Sequence, residues 1–248
     1  GDQQEKEYAL IVLANIIAYD YLYIDEDIET KHSIPKLVAF IRHGTSEQKQ
    51  RAASVLGELA YRSEYYQDAI EEEGGIRPLV ALVRNGTEQQ KENAARAFRN
   101  LSYRLGLEHD NAIWYARAIL PLVALVRDGT GKQKEYAAGA LANFASYHDH
   151  ASNITSAGGI PPLVALVSNG TEEQKKRAAK ALQNLAGDSD ATNKVAIVTA
   201  GGIPPLVALM RNGTENQKGL EAMVHAAMAL VRLVDRNLGN QVAVVDAG

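Results

Sequence analysis

One phrase recurs along the chain at nearly constant intervals, and that recurrence limits the fold more than any other feature. Gly-Thr-x-x-Gln-Lys begins at Gly44, Gly86, Gly129, Gly170 and Gly213, in steps of 42, 43, 41 and 43 residues. A fixed period of this length marks a stacked array, in which each unit buries its apolar face only against its neighbours. Before each copy stands an apolar segment ending in a turn, as in IRPLVALVRNG and IPPLVALVSNG. After it comes an alanine-rich stretch, as in KENAARAFRNLSY and KKRAAKALQNLAG. The units run over 1–43 (partial), 44–85, 86–128, 129–169, 170–212 and 213–248 (partial), within a single expected domain of 1–248.

Local chemistry divides each unit into helices. Pro35, Pro78, Pro121, Pro161 and Pro204 open the apolar segments, where a first helical turn leaves the missing N–H unpaired anyway. The glycines that begin the repeated phrase are expected to stop that helix in the left-handed conformation. Thr45, Thr87, Thr130, Thr171 and Thr214 each precede a glutamine by three residues, which is the capping box of a second, longer helix. Upstream lies a shorter helix with an aliphatic residue at Ile28, Ile70, Ile113, Ile154, Ile197 and Val244. Gly74-Gly75, Gly158-Gly159 and Gly201-Gly202 close it in three units. Three helices in about 42 residues, without a strand, make an all-α chain.

These units resemble the armadillo repeat, whose second helix reads like GGIPPLVALV and whose third reads like ALxNLA. The resemblance covers the whole chain. It implies a right-handed α-solenoid superhelix of about six three-helix armadillo repeats, with third helices lining a concave groove. It also implies a scaffold that binds an extended peptide or protein partner, with no enzymatic activity and no cofactor.

In the family, asparagines on the third helices hold the backbone of an extended peptide. The corresponding ladder here reads Asn15, Glu58, Asn100, Asn143, Asn184 and Arg232. An amide suits this task because it both donates and accepts, although the same group can tie neighbouring repeats together. Hydrogen bonds contribute only about 0.5–1.5 kcal/mol each, whereas micromolar binding needs about 8 kcal/mol. Side-chain pockets must therefore add to the four asparagines. One turn before the ladder, nuclear-import members of the family carry Trp for the lysines of their ligands. This chain has Ile11, Ser54, Arg96, Gly139, Lys180 and Met228 there, so a basic ligand is disfavoured. One turn beyond stand Tyr19, Tyr61, Tyr103 and Tyr147, with Arg62 and Arg104 alongside. Tyrosine combines a large apolar area with a polar tip, and the set points to an acidic or amphipathic partner. Capping of helix ends against the next repeat is the other use of these tyrosines.

All 15 aromatic residues lie within residues 8–147. A specialised binding surface in the first units, drift of exposed helices, and a surface engineered onto a consensus scaffold each account for that asymmetry. The ends are rich in large apolar residues, with Ile11, Val12, Ile16 and Ile17 near one and Met223, Met228, Val231 and Val234 near the other. Terminal repeats are ordinarily polar outside, and apolar patches mark interfaces. Self-association through the terminal repeats, as a homodimer, is the alternative expectation for function.

Composition narrows the remaining classes. There is no cysteine, so neither a disulfide framework nor a thiolate site is available. A formal net charge of −4 argues against nucleic-acid binding, and the short apolar runs argue against membrane insertion. The His148-Asp149-His150 triplet is read as a loop rather than a metal site, and no catalytic constellation stands out. Without a basic n-region and apolar h-region at the start, the expected location is cytoplasmic, with the nucleus suggested by the resemblance.

Overall fold

The computed structural model describes residues 28–102, 112–187, 191–213, 216–235 and 237–248, excepting the side chains of 28–32 and 112–116. Asn15, Tyr19, Tyr103, Arg104 and Thr214 lie outside the described residues. The chain divides into two compact units, Gly1–Ala118 and Ile119–Gly248. The first contains α1 (Ile28–His43), α2 (Ser46–Arg62), α3 (Glu64–Glu72), α4 (Ile76–Asn85) and α5 (Glu88–Leu101). Helix α6 (Ala112–Asp128) crosses the division. The second continues with α7 (Gly131–Phe144), α8 (His148–Ser156), α9 (Ile160–Asn169) and α10 (Glu172–Gly187). Then follow α11 (Ala191–Thr199), α12 (Ile203–Asn212), α13 (Gln217–Val234) and α14 (Leu238–Asp246). The described residues form no strand, and the fold is all-α.

The capping boxes start the third helices as their chemistry requires. The side-chain oxygens of Gln48, Gln90 and Gln133 accept from the N–H groups of Thr45, Thr87 and Thr130 at 3.0, 3.0 and 3.1 Å. Thr171 and Gln174 make the same reciprocal pair. The last third helix begins differently: Asn216 caps α13, its side-chain oxygen accepting from the N–H of Gly219 at 2.9 Å. The cap expected at Thr214 is thus taken by Asn216, a residue equally suited to it.

The glycines correct one expectation. Gly86, Gly170 and Gly213 have φ of −72°, −75° and −61°, so they are not left-handed. What excludes a side chain there is crowding: a Cβ on Gly86 would lie 2.6 Å from the Leu82 carbonyl oxygen and 2.8 Å from Cβ of Gln90. The left-handed positions are Gly74, Gly158 and Gly201, with φ of 66°, 71° and 71°. They are the first residues of the Gly-Gly pairs, and they turn the chain from first to second helix.

Where that pair is missing, the turn is missing too. Helices α1 and α6 run on through Pro35 and Pro121, joining segments expected to be two helices. Lys31-His32 and Arg117-Ala118 offer no residue that adopts positive φ cheaply. Continuing the helix, with one backbone bond lost at proline, is the remaining course. The three-helix unit is therefore complete only in the Gly-Gly repeats.

Packing follows from residue size. Leu79, Leu122, Leu163 and Leu206 of the second helices are fully buried, as are Ala52, Ala94, Ala137 and Ala178 of the third. Small residues let successive third helices approach closely; a Cβ on Gly57 of α2 would sit 3.3 Å from the backbone nitrogen of Ala97 on α5. Tyr66, Phe98 and Phe144 are among the largest fully buried side chains, so part of the aromatic concentration is core. Among the described residues no single helix is long and apolar enough to cross a membrane.

Candidate functional site: the third-helix faces

Residues three or four apart share a helical face, and in the first unit one such face of α5 is stitched to α2. Gln90 Nε2 donates to the Ser46 carbonyl at 2.8 Å, and Asn93 Nδ2 to that of Gln50 at 3.0 Å. Arg96 Nη2 donates to the Ser54 carbonyl at 2.9 Å and Asn100 Nδ2 to that of Gly57 at 2.7 Å. Asn100 is buried, and its Oδ1 accepts from Arg99 Nε at 3.1 Å. The Arg96 guanidinium also reaches Glu58 Oε2 at 3.3 Å. Two residues expected to select ligands thus largely balance each other. Tyr61 stands clear at 71% exposure, with Arg62 half-buried beside it.

The second unit repeats the stitch. Gln174 Nε2 donates to the Gly131 carbonyl at 2.7 Å. Asn184 Nδ2 donates to the Ala142 carbonyl at 2.9 Å and to Ser146 Oγ at 3.0 Å. Arg232 Nη1 donates to the Gln183 carbonyl at 2.6 Å. Asn100, Asn184 and Arg232 therefore all address the residue just before the preceding ladder position, namely Gly57, Ala142 and Gln183. The ladder register is real, and at these rungs its donors tie repeats together. Asn184 keeps Oδ1 on a half-buried face as an acceptor. Asn143 is half-buried on α7, and Tyr147 stands at the N-cap position of α8 with its ring centroid 6.2 Å from that of His150. Sequence reasoning assigned the capping glutamines one role and missed their second. The signal was the amide NH2 that the capping box leaves over.

Charge separates the two units. On α10 and α13, Lys176 pairs with Glu221, Arg177 lies 2.6 Å from Glu173, and Lys218 lies 3.7 Å from the same carboxylate. Half-buried Lys180 has no ion-pair partner among the described residues. Burial, then Arg177 and Lys176, pulls its ammonium below the usual lysine range. His225, with Nδ1 2.7 Å from Gln183 Oε1, is lowered by burial and then by Lys180 and Lys176, against an opposing contribution from Glu221. Among the described residues this part of the face is electropositive.

His148, Asp149 and His150 form the first turn of α8 rather than a loop, with Tyr147 in extended backbone at the N-cap position. His150 is buried, 5.5 Å from the Phe144 ring centroid, and its pKa is lowered by burial against an opposing Asp149. Both lowered histidines make stability depend on pH. The unfolded chain takes up these protons near 6.5, before the folded chain does, so stability is full above that value. It is lost as pH falls through the folded pKa values. Denaturant midpoints are expected to drop between pH 7.5 and 5, and less steeply in His225→Gln.

Comparison with known proteins bears on the fold. A family model described as the Armadillo/beta-catenin-like repeat matches residues 63–103 and 148–187. No curated protein matches the chain. A crystal structure of an engineered protein is 31% identical, with 87% of this chain and 85% of that one covered, at a TM-score of 0.75. A designed armadillo repeat protein in complex with the peptide (KR)4 is 26% identical, with 94% of each chain covered and a TM-score of 0.77. Computationally designed armadillo repeat proteins for modular peptide recognition give 26% identity, 93% and 94% coverage, and a TM-score of 0.78.

Proposed function

The chain belongs to the armadillo-repeat family, and from that premise we propose that it is a non-enzymatic scaffold that binds an extended acidic or amphipathic peptide along its third helices. Solved relatives designed for peptide recognition support the peptide. The observation that carries the charge preference is Lys180, a half-buried ammonium among Lys176, Arg177 and His225 with no carboxylate of its own among the described residues. A ligand carboxylate there gains a charge-assisted hydrogen bond and relieves repulsion among neighbouring cations. Such a bond contributes about 1.5–3 kcal/mol, or roughly ten- to a hundredfold in affinity. Asn184 Oδ1 accepts a peptide N–H on the same helix, since the described hydrogen bonds of this side chain use only its Nδ2. The relative that holds (KR)4 is a counter-example for the fold but not for these residues, since a lysine ligand would meet Lys180.

A peptide-display selection on the parent and on Lys180→Glu tests this reading. The parent is expected to enrich acidic motifs that the variant loses, while both keep the same helical content and melting behaviour. Enrichment of basic motifs, or of the same motif by both, overturns it. A second reading is self-association through the last repeat. It is favoured by α13, which exposes Leu220, Val224, Met228 and Val231.

A further inference from the structure

We propose that a cavity between α1, α2, α4 and α5 binds a phosphate monoester carried on a small apolar body, at a site separate from the third-helix face and independent of the peptide reading. The cavity holds about 710 Å³, within the range of small-molecule sites. Three cations line it: Arg42 from the last turn of α1, Lys49 near the start of α2 and Arg77 from the first turn of α4. Among the described residues no carboxylate lines it. Lys49 and buried Gln90 reach it from the starts of α2 and α5, whereas the bond from Asn100 to Gly57 joins the same two helices toward their ends.

The repeat pattern sets one of these cations apart. Nine residues before the glycine of the repeated phrase, at a position exposed in every unit, the other units carry Pro35, Leu120, Pro161 and Pro204, and this one carries Arg77. Folding requires no charge at a place that proline and leucine fill elsewhere. The lysine five residues after that glycine recurs as Lys49, Lys91, Lys134, Lys175 and Lys218, and the arginine two before it as Arg42, Arg84, Arg127 and Arg211. The repeat therefore supplies two cations at most of its phrases, and Arg77 adds a third at this one.

Arg42 is held in place. Its Nη2 donates to the Gly74 carbonyl at 3.0 Å and to the Glu73 carbonyl at 3.3 Å, which leaves Nε and Nη1 for a ligand. Gly74, left-handed at φ 66°, makes room for this contact, since a Cβ there would lie 3.0 Å from that same nitrogen. The Glu73 side chain is exposed and does not line the cavity. Lys49 is half-buried and makes no ion pair among the described residues. Three cations exceed what a single carboxylate balances, and they suit a phosphate monoester, with its charge of about −1.5 to −2 and three acceptor oxygens. Arginine forks grip such a group at two points. Buried Ile41, Pro78 and Leu82 supply an apolar wall that the phosphate itself does not use, and that wall calls for the apolar body.

Calorimetric titration of the intact chain with phenyl phosphate tests the site, beside Arg77→Leu, Lys49→Gln and Lys180→Glu. The expected result is saturable binding by the parent, weakened about tenfold or more in Arg77→Leu and in Lys49→Gln and unchanged in Lys180→Glu. Inorganic phosphate is expected to bind more weakly than phenyl phosphate, and equal affinity overturns the apolar body. No saturation by about 10 mM phenyl phosphate, or parent-like binding by both cavity variants, overturns the site. Binding lost in Lys180→Glu and kept in Arg77→Leu places the anion on the third-helix face and overturns the cavity while leaving the peptide reading intact. Should Arg77→Leu lose helical content, Lys49→Gln decides alone. A phosphotyrosine peptide and its unphosphorylated form then separate the two sources of such a group. Phosphate-dependent peptide binding that Arg77→Leu weakens makes the ligand a modified side chain, and binding of phenyl phosphate without the peptide makes it a free small molecule; either upholds the site.

Discussion

Asn100→Leu is expected to lower stability by about 1–3 kcal/mol. The substitution nearly preserves volume but removes the donor to the Gly57 carbonyl and the acceptor for Arg99. Asn100 is buried, so water does not readily replace the lost donor, and the Gly57 oxygen bears the desolvation penalty. At Asn184 the acceptor Ser146 is exposed, and Asn184→Leu is expected to cost less. Urea titration separates the two through their midpoints, with the slope unchanged if only stability moves. Equal, negligible losses would mean that the stitch between repeats contributes nothing and that the asparagines serve a ligand alone.

The second large effect concerns glycines that look alike in the sequence and are not. Gly170→Ala places a Cβ 2.5 Å from the Leu166 carbonyl oxygen and 3.0 Å from Cβ of Gln174. The helix end and the capping box must then move apart, at about 2–3 kcal/mol, the upper part of the usual range for single substitutions. Gly158 has φ of 71° with nothing within 4 Å of a built Cβ. There Asn, which tolerates left-handed backbone, should cost under about 1 kcal/mol, and Val about 1–2. Thermal melts of the three variants should rank Gly170→Ala and Gly158→Val well below Gly158→Asn. Tolerance of Ala at 170 would contradict the crowding assigned to that turn.

These two glycine classes mark the boundary of what the sequence made legible. The period, the capping boxes at Thr45, Thr87, Thr130 and Thr171, and the helical class were all readable, because each rests on local chemistry repeated in register. The left-handed residue was sought at the wrong glycine, since composition cannot separate a positive-φ requirement from a carbonyl pressed against a Cβ. The merging of helices at Pro35 and Pro121 depended on absent Gly-Gly pairs, noticed as variation but not as a loss of the turn. At the candidate site, Asn100, Asn184 and Arg232 were found in register by alignment. Their inter-repeat partners depend on helix separation, which no single sequence states. Likewise Lys180 and Arg96 look equivalent in the sequence, whereas Glu58 balances Arg96 and no described carboxylate pairs with Lys180.

Fluorescence anisotropy with two labelled extended peptides, one rich in glutamate and one in lysine and otherwise matched, tests the central claim most directly. The account predicts saturable binding of the acidic peptide, at least tenfold tighter than the basic one and weakened as salt screens the charges, with the preference abolished in Lys180→Glu. Equal affinities, a preference for the lysine peptide, or no binding of either by the folded chain would contradict it.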